Sequence, residues 1–177
     1  AYTESQTYIA SVPFSLTSAK TIGTTLSALP VYKYQQSHVT DGTGDIKISD
    51  LEFDVYDVVV LDNSYDVKEA CRTIPYSLSP DVDETLTLIL VPASARSLRV
   101  YVTDVDGVEI PNADIELSRS AFSATQTSSS CGQAFFSSLA SASDYVVDVQ
   151  AYGYGDQSVT DITIDSTESI TIMLAEI

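Results

Sequence analysis

Acidic side chains collect at two turns, and oxygen-rich turns of this kind can bind calcium. The first is Asp41-Gly42-Thr43-Gly44-Asp45 and the second is Asp104-Val105-Asp106. A complete calcium site needs about six to eight oxygen ligands, and neither turn continues into the loop spacing that ends in glutamate. Aspartate and glycine are also the residues that tight turns require. We therefore interpret both clusters as turns and expect neither a metal site nor a cofactor.

Hydrolytic chemistry would need a nucleophile, a base and a group that orients the base. The chain has a single histidine, His38, which follows Ser37. Neighbouring residues of a strand point to opposite faces of a sheet, so this pair cannot act together on one substrate. No serine stands in a glycine-flanked nucleophile turn. We expect that the protein is not an enzyme.

Two cysteines, Cys71 and Cys131, fit no zinc-binding or redox spacing, because about sixty residues separate them and only one histidine could assist. We predict a disulfide between them, as expected in an oxidising compartment. Two free thiols and a bond between subunits are the alternatives.

Composition excludes several classes of partner. Eight basic residues stand against 25 acidic ones, and the net charge of −17 argues against nucleic acid or an anionic membrane as a partner. No stretch approaches the roughly 20 apolar residues of a membrane span. Apolar residues make up 44% of the chain, which is enough for a packed core.

Serine and threonine account for 43 of the 177 residues, and their hydroxyls suit exposed strand faces or O-linked glycan. Asn63 and Asn112 do not begin an N-glycosylation sequon. Candidate O-glycosylation sites are Thr125, Thr127, Ser128, Ser129 and Ser130. A plain polar surface is the alternative interpretation of this run.

Apolar and polar residues alternate through most of the chain, which predicts an all-β protein. The clearest examples are Leu98–Val102, Ala113–Leu117, Tyr145–Val149 and Ile170–Leu174. Only Asp66–Arg72 could form a short helix.

The two halves share an order of features that indicates a duplication. An offset of about 84 residues places Gly23 on Gly107, Leu26 on Ile110, Val31 on Ile115 and Leu90 on Leu174, and also Phe14–Leu16 on Leu98–Val100. Small slips place Gly44–Ile48 on Gly132–Phe136 and Tyr56 on Tyr145, and we predict that both tyrosines are core or corner residues. The predicted divisions are an N-terminal extension (1–12), repeat 1 (13–92), a linker (93–97) and repeat 2 (98–177).

The second copy resembles a known family. Its residues Val102–Leu117, with Asp106-Gly107 and Ile110-Pro111-Asn112-Ala113, then Cys131–Phe135 and Ala151-Tyr152-Gly153-Tyr154, are similar to the carboxypeptidase regulatory-like module. The resemblance implies two tandem Greek-key β-sandwiches, immunoglobulin-like or prealbumin-like. It also implies a surface location and no catalytic residues.

The N-terminal extension has strand propensity and lacks glycine and proline. Its candidate assembly residues are Tyr2, Tyr8, Ile9, Ala10 and Val12. A free strand can pair with the next identical subunit, and such a head-to-tail contact propagates as a homopolymer. Pairing within its own domain, or disorder, is the alternative.

The sequence therefore favours a structural subunit of an extracellular, fimbria-like filament whose N-terminal strand pairs with a neighbour. A different class remains open, namely an adhesive or carbohydrate-binding surface module cut from a larger protein.

Overall fold

The computed structural model describes residues 1–177 and contains fifteen β-strands and no helix. The all-β prediction is confirmed. The chain divides into two compact units, unit 1 (Ala1–Ala93) and unit 2 (Ser94–Ile177). Nowhere does it form a helix with the length and apolar character needed to cross a membrane.

Unit 1 contains eight strands, which are β1 (Pro13–Ser18), β2 (Thr21–Thr24), β3 (Pro30–Tyr32), β4 (Gln35–Val39), β5 (Asp54–Val60), β6 (Tyr65–Cys71), β7 (Tyr76–Leu78) and β8 (Thr87–Pro92). Four of them form an antiparallel sheet in the order β4-β1-β5-β7, while β2 pairs with β3 and β6 pairs with β8. A small buried core is made by Phe14, Leu16, Tyr56 and Val58.

The segment with a possible short helix is a strand. Residues 66–71 lie in β6, which pairs with β8 from Tyr65 opposite Pro92 to Cys71 opposite Thr87. The short-helix expectation was therefore wrong, because a ladder of hydrogen bonds to a distant strand outweighs weak local propensity.

Unit 2 contains seven strands, which are β9 (Ser97–Asp104), β10 (Asp114–Arg119), β11 (Phe122–Thr127), β12 (Gln133–Ser137), β13 (Ala142–Gln150), β14 (Gln157–Ile164) and β15 (Thr167–Leu174). One sheet has the order β11-β10-β13-β14 and the other β12-β9-β15. The strands predicted at 98–102, 113–117, 145–149 and 170–174 are confirmed as parts of β9, β10, β13 and β15, whose ends differ from the predicted ones by up to three residues.

The core of unit 2 is larger than that of unit 1. Seventeen buried apolar residues drawn from both of its sheets form one cluster, against four in unit 1. β9 contributes Leu98, Val100 and Val102, all fully buried. The central strand of the three-stranded sheet therefore supplies three of the seventeen core residues.

A buried tyrosine holds the same position in both units. Tyr56 in β5 is 2% exposed, and its hydroxyl donates to the Glu52 carbonyl at 2.7 Å. Tyr145 in β13 is 1% exposed, and its hydroxyl donates to the Ala140 carbonyl at 3.0 Å. A tyrosine whose hydroxyl reaches back a few residues to the backbone is a known corner device of β-sandwiches. The prediction for these two residues is confirmed.

Candidate assembly interface

The first residues of unit 1 repeat the backbone hydrogen bonds of residues 102–110 of unit 2. The Ile9 N–H donates to the Ala1 carbonyl at 3.0 Å, and the Ile110 N–H donates to the Val102 carbonyl at 2.9 Å. The isolated antiparallel bridges follow the same pattern, with Tyr2 opposite Tyr8 in unit 1 and Thr103 opposite Glu109 in unit 2. Ala1 therefore corresponds to Val102, an offset of 101 residues.

The next residues keep this correspondence. The Val12 N–H donates to Thr40 Oγ1, and the Val12 carbonyl accepts from the Thr40 N–H. In unit 2 the Ala113 N–H donates to Ser128 Oγ, and the Ala113 carbonyl accepts from the Ser128 N–H. Residues 1–12 are thus the structural repeat of residues 102–113.

This offset corrects the sequence alignment, which placed Phe14 on Leu98. β1 lies between β4 and β5, and β10 lies between β11 and β13, so β1 corresponds to β10 and not to β9. The offset of 84 residues holds only at the last strand of each unit, which places Ile89 on Met173. Tyr2 bridges Ile89 in unit 1, and its counterpart Thr103 pairs with Met173 in unit 2. The alignment was wrong for residues 14–31 because the β2–β3 hairpin of unit 1 stands where unit 2 has a short turn between β10 and β11. Its placement of Gly44–Ile48 on Gly132–Phe136 and of Tyr56 on Tyr145 agrees with the structure.

The predicted assembly residues lie against their own unit in the structure. Tyr2 forms a parallel bridge to β8, and its ring centroid is 5.2 Å from that of Tyr8. Tyr8 is 58% exposed, while Val12 is buried at 3%. Ile9 is partly buried and Ala10 is exposed.

The counterpart of Val102 is Ala1, and residues 97–101 precede Val102 at the start of β9. In unit 2 these five residues pair antiparallel with β12 and parallel with β15. In unit 1 the matching segments, residues 45–49 and 82–86, pair with no strand in the structure, and we name the space between them the strand slot.

One boundary of the strand slot corresponds to β12. Gly44 accepts from the Ala1 nitrogen at 2.5 Å, as Gly132 accepts from the Val102 N–H at 2.7 Å. Residues 45–49 therefore match residues 133–137, yet they form no strand. Ile46 is 43% exposed, whereas its counterpart Ala134 is 5% exposed. The segment pairs with no strand in the structure.

The other boundary behaves in the same way. β15 pairs with β9 from Thr167 to Leu174, whereas β8 begins only at Thr87 and meets the N-terminal segment at one residue. Residues 82–86 form no strand. Both edges of the strand slot therefore present backbone N–H and C=O groups that could receive another strand.

An open cavity of about 680 Å³ occupies the strand slot. Its floor includes the core residues Phe14, Leu16, Tyr56 and Val58, and its walls include residues 45–51 and 82–88. The apolar core of unit 1 thus faces the cavity.

The carboxylates of the two acidic turns bind backbone groups of their own turns. Asp41 accepts from the Thr43 hydroxyl at 2.7 Å, the Thr43 N–H at 2.8 Å and the Asp45 N–H at 3.1 Å. These bonds, the Thr43 hydroxyl first, lower the pKa of Asp41 below its ordinary value of 3.8. Asp104 accepts from the N–H groups of Asp106 and Val108. The interpretation of both clusters as turns is confirmed.

His38 is part of the packing of unit 1. Its Nε2 lies 2.8 Å from the Tyr34 hydroxyl, and its ring centroid is 5.5 Å from that of Phe14. Burial raises the pKa of Tyr34. Ser37 and His38 are consecutive residues of β4, so their side chains point to opposite faces.

The candidate glycosylation sites differ in accessibility. Ser128 is 3% exposed, and its hydroxyl donates to the Ile110 carbonyl and accepts from the Ala113 N–H. A glycan at Ser128 would require both hydrogen bonds to break. Ser129 is partly buried, whereas the exposed candidates are Thr125, Thr127 and Ser130.

Both cysteines lie near strand ends. Cys71 is the last residue of β6, and Cys131 precedes β12 in the turn that contains Gly132. The structure contains no free cysteine.

Residues 97–175 match the family model of the carboxypeptidase regulatory-like domain. The match lies within unit 2. The family resemblance inferred from its sequence is confirmed. The carboxypeptidase regulatory-like match lies outside unit 1, so the equivalence of the units depends on the hydrogen bonds described above.

Several solved structures are similar over nearly the whole chain, and no curated protein matches the sequence. The minor pilin of Streptococcus agalactiae is 16% identical with a TM-score of 0.37, over 97% of this chain and 85% of its own. The Bacillus anthracis TIE protein is 12% identical with a TM-score of 0.37, over 99% of this chain and 33% of its own. A streptococcal ancillary pilin is 15% identical with a TM-score of 0.36, over 99% of this chain and 60% of its own. Likeness at this level carries no argument about function.

Proposed function

We propose that this chain is a structural subunit of an extracellular, fimbria-like filament, built as two tandem Greek-key β-sandwiches. Identical subunits join head-to-tail, and residues 1–12 of each subunit pair with a neighbour. The observation that carries the proposal is the strand slot of unit 1, an open strand position above an apolar core.

Unpaired strand edges recruit strands from other chains, because each backbone N–H and C=O gains a partner. The strand slot has two such edges, and the cavity above the core offers apolar surface to an incoming strand. The donating segment and the accepting slot are different surfaces of one subunit. A contact between different surfaces repeats from subunit to subunit and builds a filament.

The charge of the chain sets a condition on this junction. At a net charge of −17, identical subunits repel each other at long range. Backbone hydrogen bonds and apolar contacts must therefore overcome the repulsion. We expect assembly to increase with salt, because about 0.15 M salt screens charges beyond roughly 8 Å.

Two covalent features belong to the proposal. A Cys71–Cys131 disulfide suits an extracellular subunit, and the absence of a free cysteine supports it. Intact mass should increase by two hydrogens on reduction. O-linked glycan, if present, is expected at Thr125, Thr127 or Ser130, and its mass would exceed the sequence mass.

Electron microscopy of the intact protein tests the proposed function. Regular filaments are expected, and the Tyr8→Asp variant should abolish them because a charge would enter the junction. Tyr152→Asp is the matched control, since Tyr152 is an exposed tyrosine of unit 2 and should leave filaments intact. Isolated particles of the unmodified protein at high concentration would refute the filament and favour the adhesive or carbohydrate-binding module.

A further inference from the structure

We propose that residues 1–10 exchange between two conformations. In the first they fold back on their own unit 1, as in the structure, and in the second they extend as a strand in the strand slot of a second copy. The inference rests on the proposed function. It adds the acceptor site, which is the strand slot, and a reason for residues 1–10 to leave their own unit, which is backbone strain.

The backbone of the folded-back conformation is strained in unit 1, whereas the corresponding backbone of residues 102–113 in unit 2 is not. Gln6 has a φ of 57°, whereas its counterpart in unit 2 is Gly107 with a φ of 82°. Ser11 has a φ of 57°, whereas its counterpart is Asn112 with a φ of 58°. Glycine and asparagine accept this left-handed backbone, and other residues pay roughly 1–2 kcal/mol for it. Extension would relieve Gln6 and, if it reaches the next turn, Ser11.

Four polar contacts with the rest of unit 1 hold the segment in place. The Ala1 ammonium donates to the Gly44 carbonyl, and the Glu4 carboxylate forms an ion pair with the Lys68 ammonium. Tyr2 exchanges two hydrogen bonds with β8, from its N–H to the Leu88 carbonyl at 3.0 Å and from the Leu90 N–H to its carbonyl at 2.8 Å. Residues 4–8 are exposed, and Tyr8 is 58% exposed. Extension in a neighbour would bury this ring and give the whole segment a ladder of hydrogen bonds.

The segment has the length that the acceptor needs. β9 of unit 2 has eight residues, and a strand of that length would span the acceptor once residues 1–3 leave it. Eight residues of a strand span about 26 Å, and ten extended residues span about 33 Å. Residues 1–10 can therefore fill the position with a short connection to spare.

Unit 2 supplies the template for the bound strand. β9 runs parallel to β15 and antiparallel to β12. The donated strand would accordingly run parallel to β8 and antiparallel to residues 45–49. Tyr8 and Ala10 stand two residues apart and share a face, so we place them inward above the core, where β9 places Leu98 and Val100.

Amide hydrogen exchange of the full chain tests the acceptor. In dispersed protein the amides of residues 45–49 and 82–86 should exchange freely, and in filaments they should be protected at least tenfold. Residues 133–137 of unit 2 are the internal reference and should be protected in both. Filaments that leave the slot amides unprotected would overturn the inference, as would full protection in dispersed protein, which would mean that the chain closes the slot itself.

A peptide experiment separates this inference from the proposed function. If the intact protein forms no filament, the proposed function fails, and the slot is tested by adding a synthetic peptide of residues 1–12 to the full-length Tyr8→Asp variant. Protection of residues 45–49 and 82–86 by this peptide, and not by the same peptide carrying Tyr8→Asp and Ala10→Asp, supports the acceptor. Equal behaviour of the two peptides overturns it.

Removing the backbone strain at Gln6 tests the proposed exchange between the two conformations. Gln6→Gly should stabilise the folded-back conformation and reduce the rate of assembly about fivefold, the equivalent of about 1 kcal/mol. Ser5→Gly is the matched control, because it adds flexibility at a residue without a left-handed backbone. An unchanged or faster rate for Gln6→Gly, or an equal effect of both variants, would refute the proposed exchange.

Discussion

Units 1 and 2 share their corner tyrosine, their turns and their order of central strands, yet only unit 2 has a closed core. The difference lies at the strand slot. In unit 2 residues 97–101 pair with both β12 and β15. In unit 1 the matching segments 45–49 and 82–86 pair with no strand and are irregular. A segment forms a strand only where a partner satisfies its backbone N–H and C=O groups.

The comparison is tested most strongly by removing one equivalent leucine from each core. Leu117 is fully buried and Leu16 borders the open cavity. Leu117→Ala should lower the free energy of unfolding by about 4 kcal/mol and Leu16→Ala by about 2 kcal/mol, because the cost depends on the new cavity that is created. Denaturant unfolding of each unit checks this, and equal losses would show that unit 1 is as closed as unit 2.

The next-largest difference in stability is expected when the corresponding turn glycines, Gly132 and Gly44, are replaced by alanine. A Cβ on Gly132 would lie 2.6 Å from the carbonyl oxygen of Val102, which is fixed in β9. A Cβ on Gly44 would lie 2.7 Å from the Ala1 carbonyl oxygen, which belongs to a weakly held segment. Gly132→Ala should cost about 3 kcal/mol and Gly44→Ala about 1 kcal/mol.

Amide exchange adds a second measure to this pair. Gly44→Ala should speed exchange at Tyr2 and Ile9, since the segment would move away from the new methyl group. A large loss of stability without faster amide exchange at Tyr2 and Ile9 would contradict the proposed exchange of residues 1–10 between two conformations.

The corner tyrosines should behave alike, because the units agree at this point. Tyr145→Phe and Tyr56→Phe each remove a hydroxyl that donates to a carbonyl. Each should lower the free energy of unfolding by about 1 kcal/mol. A much smaller effect at Tyr56 would mean that water from the open cavity already competes for the Glu52 carbonyl.

Acid should act on the first unit through Asp41. The ionised carboxylate accepts the three bonds from Thr43 and Asp45, and its pKa is therefore lowered below 3.8. The stability that it contributes is present above pH 3.8 and is lost as the pH falls through the lowered pKa. The Asp41 carbonyl also accepts from the Ser11 N–H, so the N-terminal segment should loosen with the turn.

Nuclear magnetic resonance can follow the Thr43 and Asp45 amides during this titration. Asp41→Asn is the control, since it keeps an acceptor oxygen and removes the ionisation. A titration that is identical in the variant would assign the change to another carboxylate.

The sequence determined the all-β class, the corner tyrosines and the family resemblance of unit 2. Alternation of apolar and polar residues is a local signal. In Tyr145–Val149 it can be recognised from these five residues alone. The acidic turns were also readable, because aspartate binds the N–H groups two and four residues ahead in the same turn.

Only the tertiary structure decided the pairing of residues 1–12 with residues 102–113 and the location of the strand slot. Their sequences share little, and the correspondence becomes visible through hydrogen bonds such as Ile9 to Ala1 and Ile110 to Val102. Ile46-Lys47-Ile48 alternates like a strand, yet it forms none, because strand formation needs a partner that lies far away in the sequence. A pattern can specify which face of a segment is apolar, whereas the presence of its neighbour is a property of the fold.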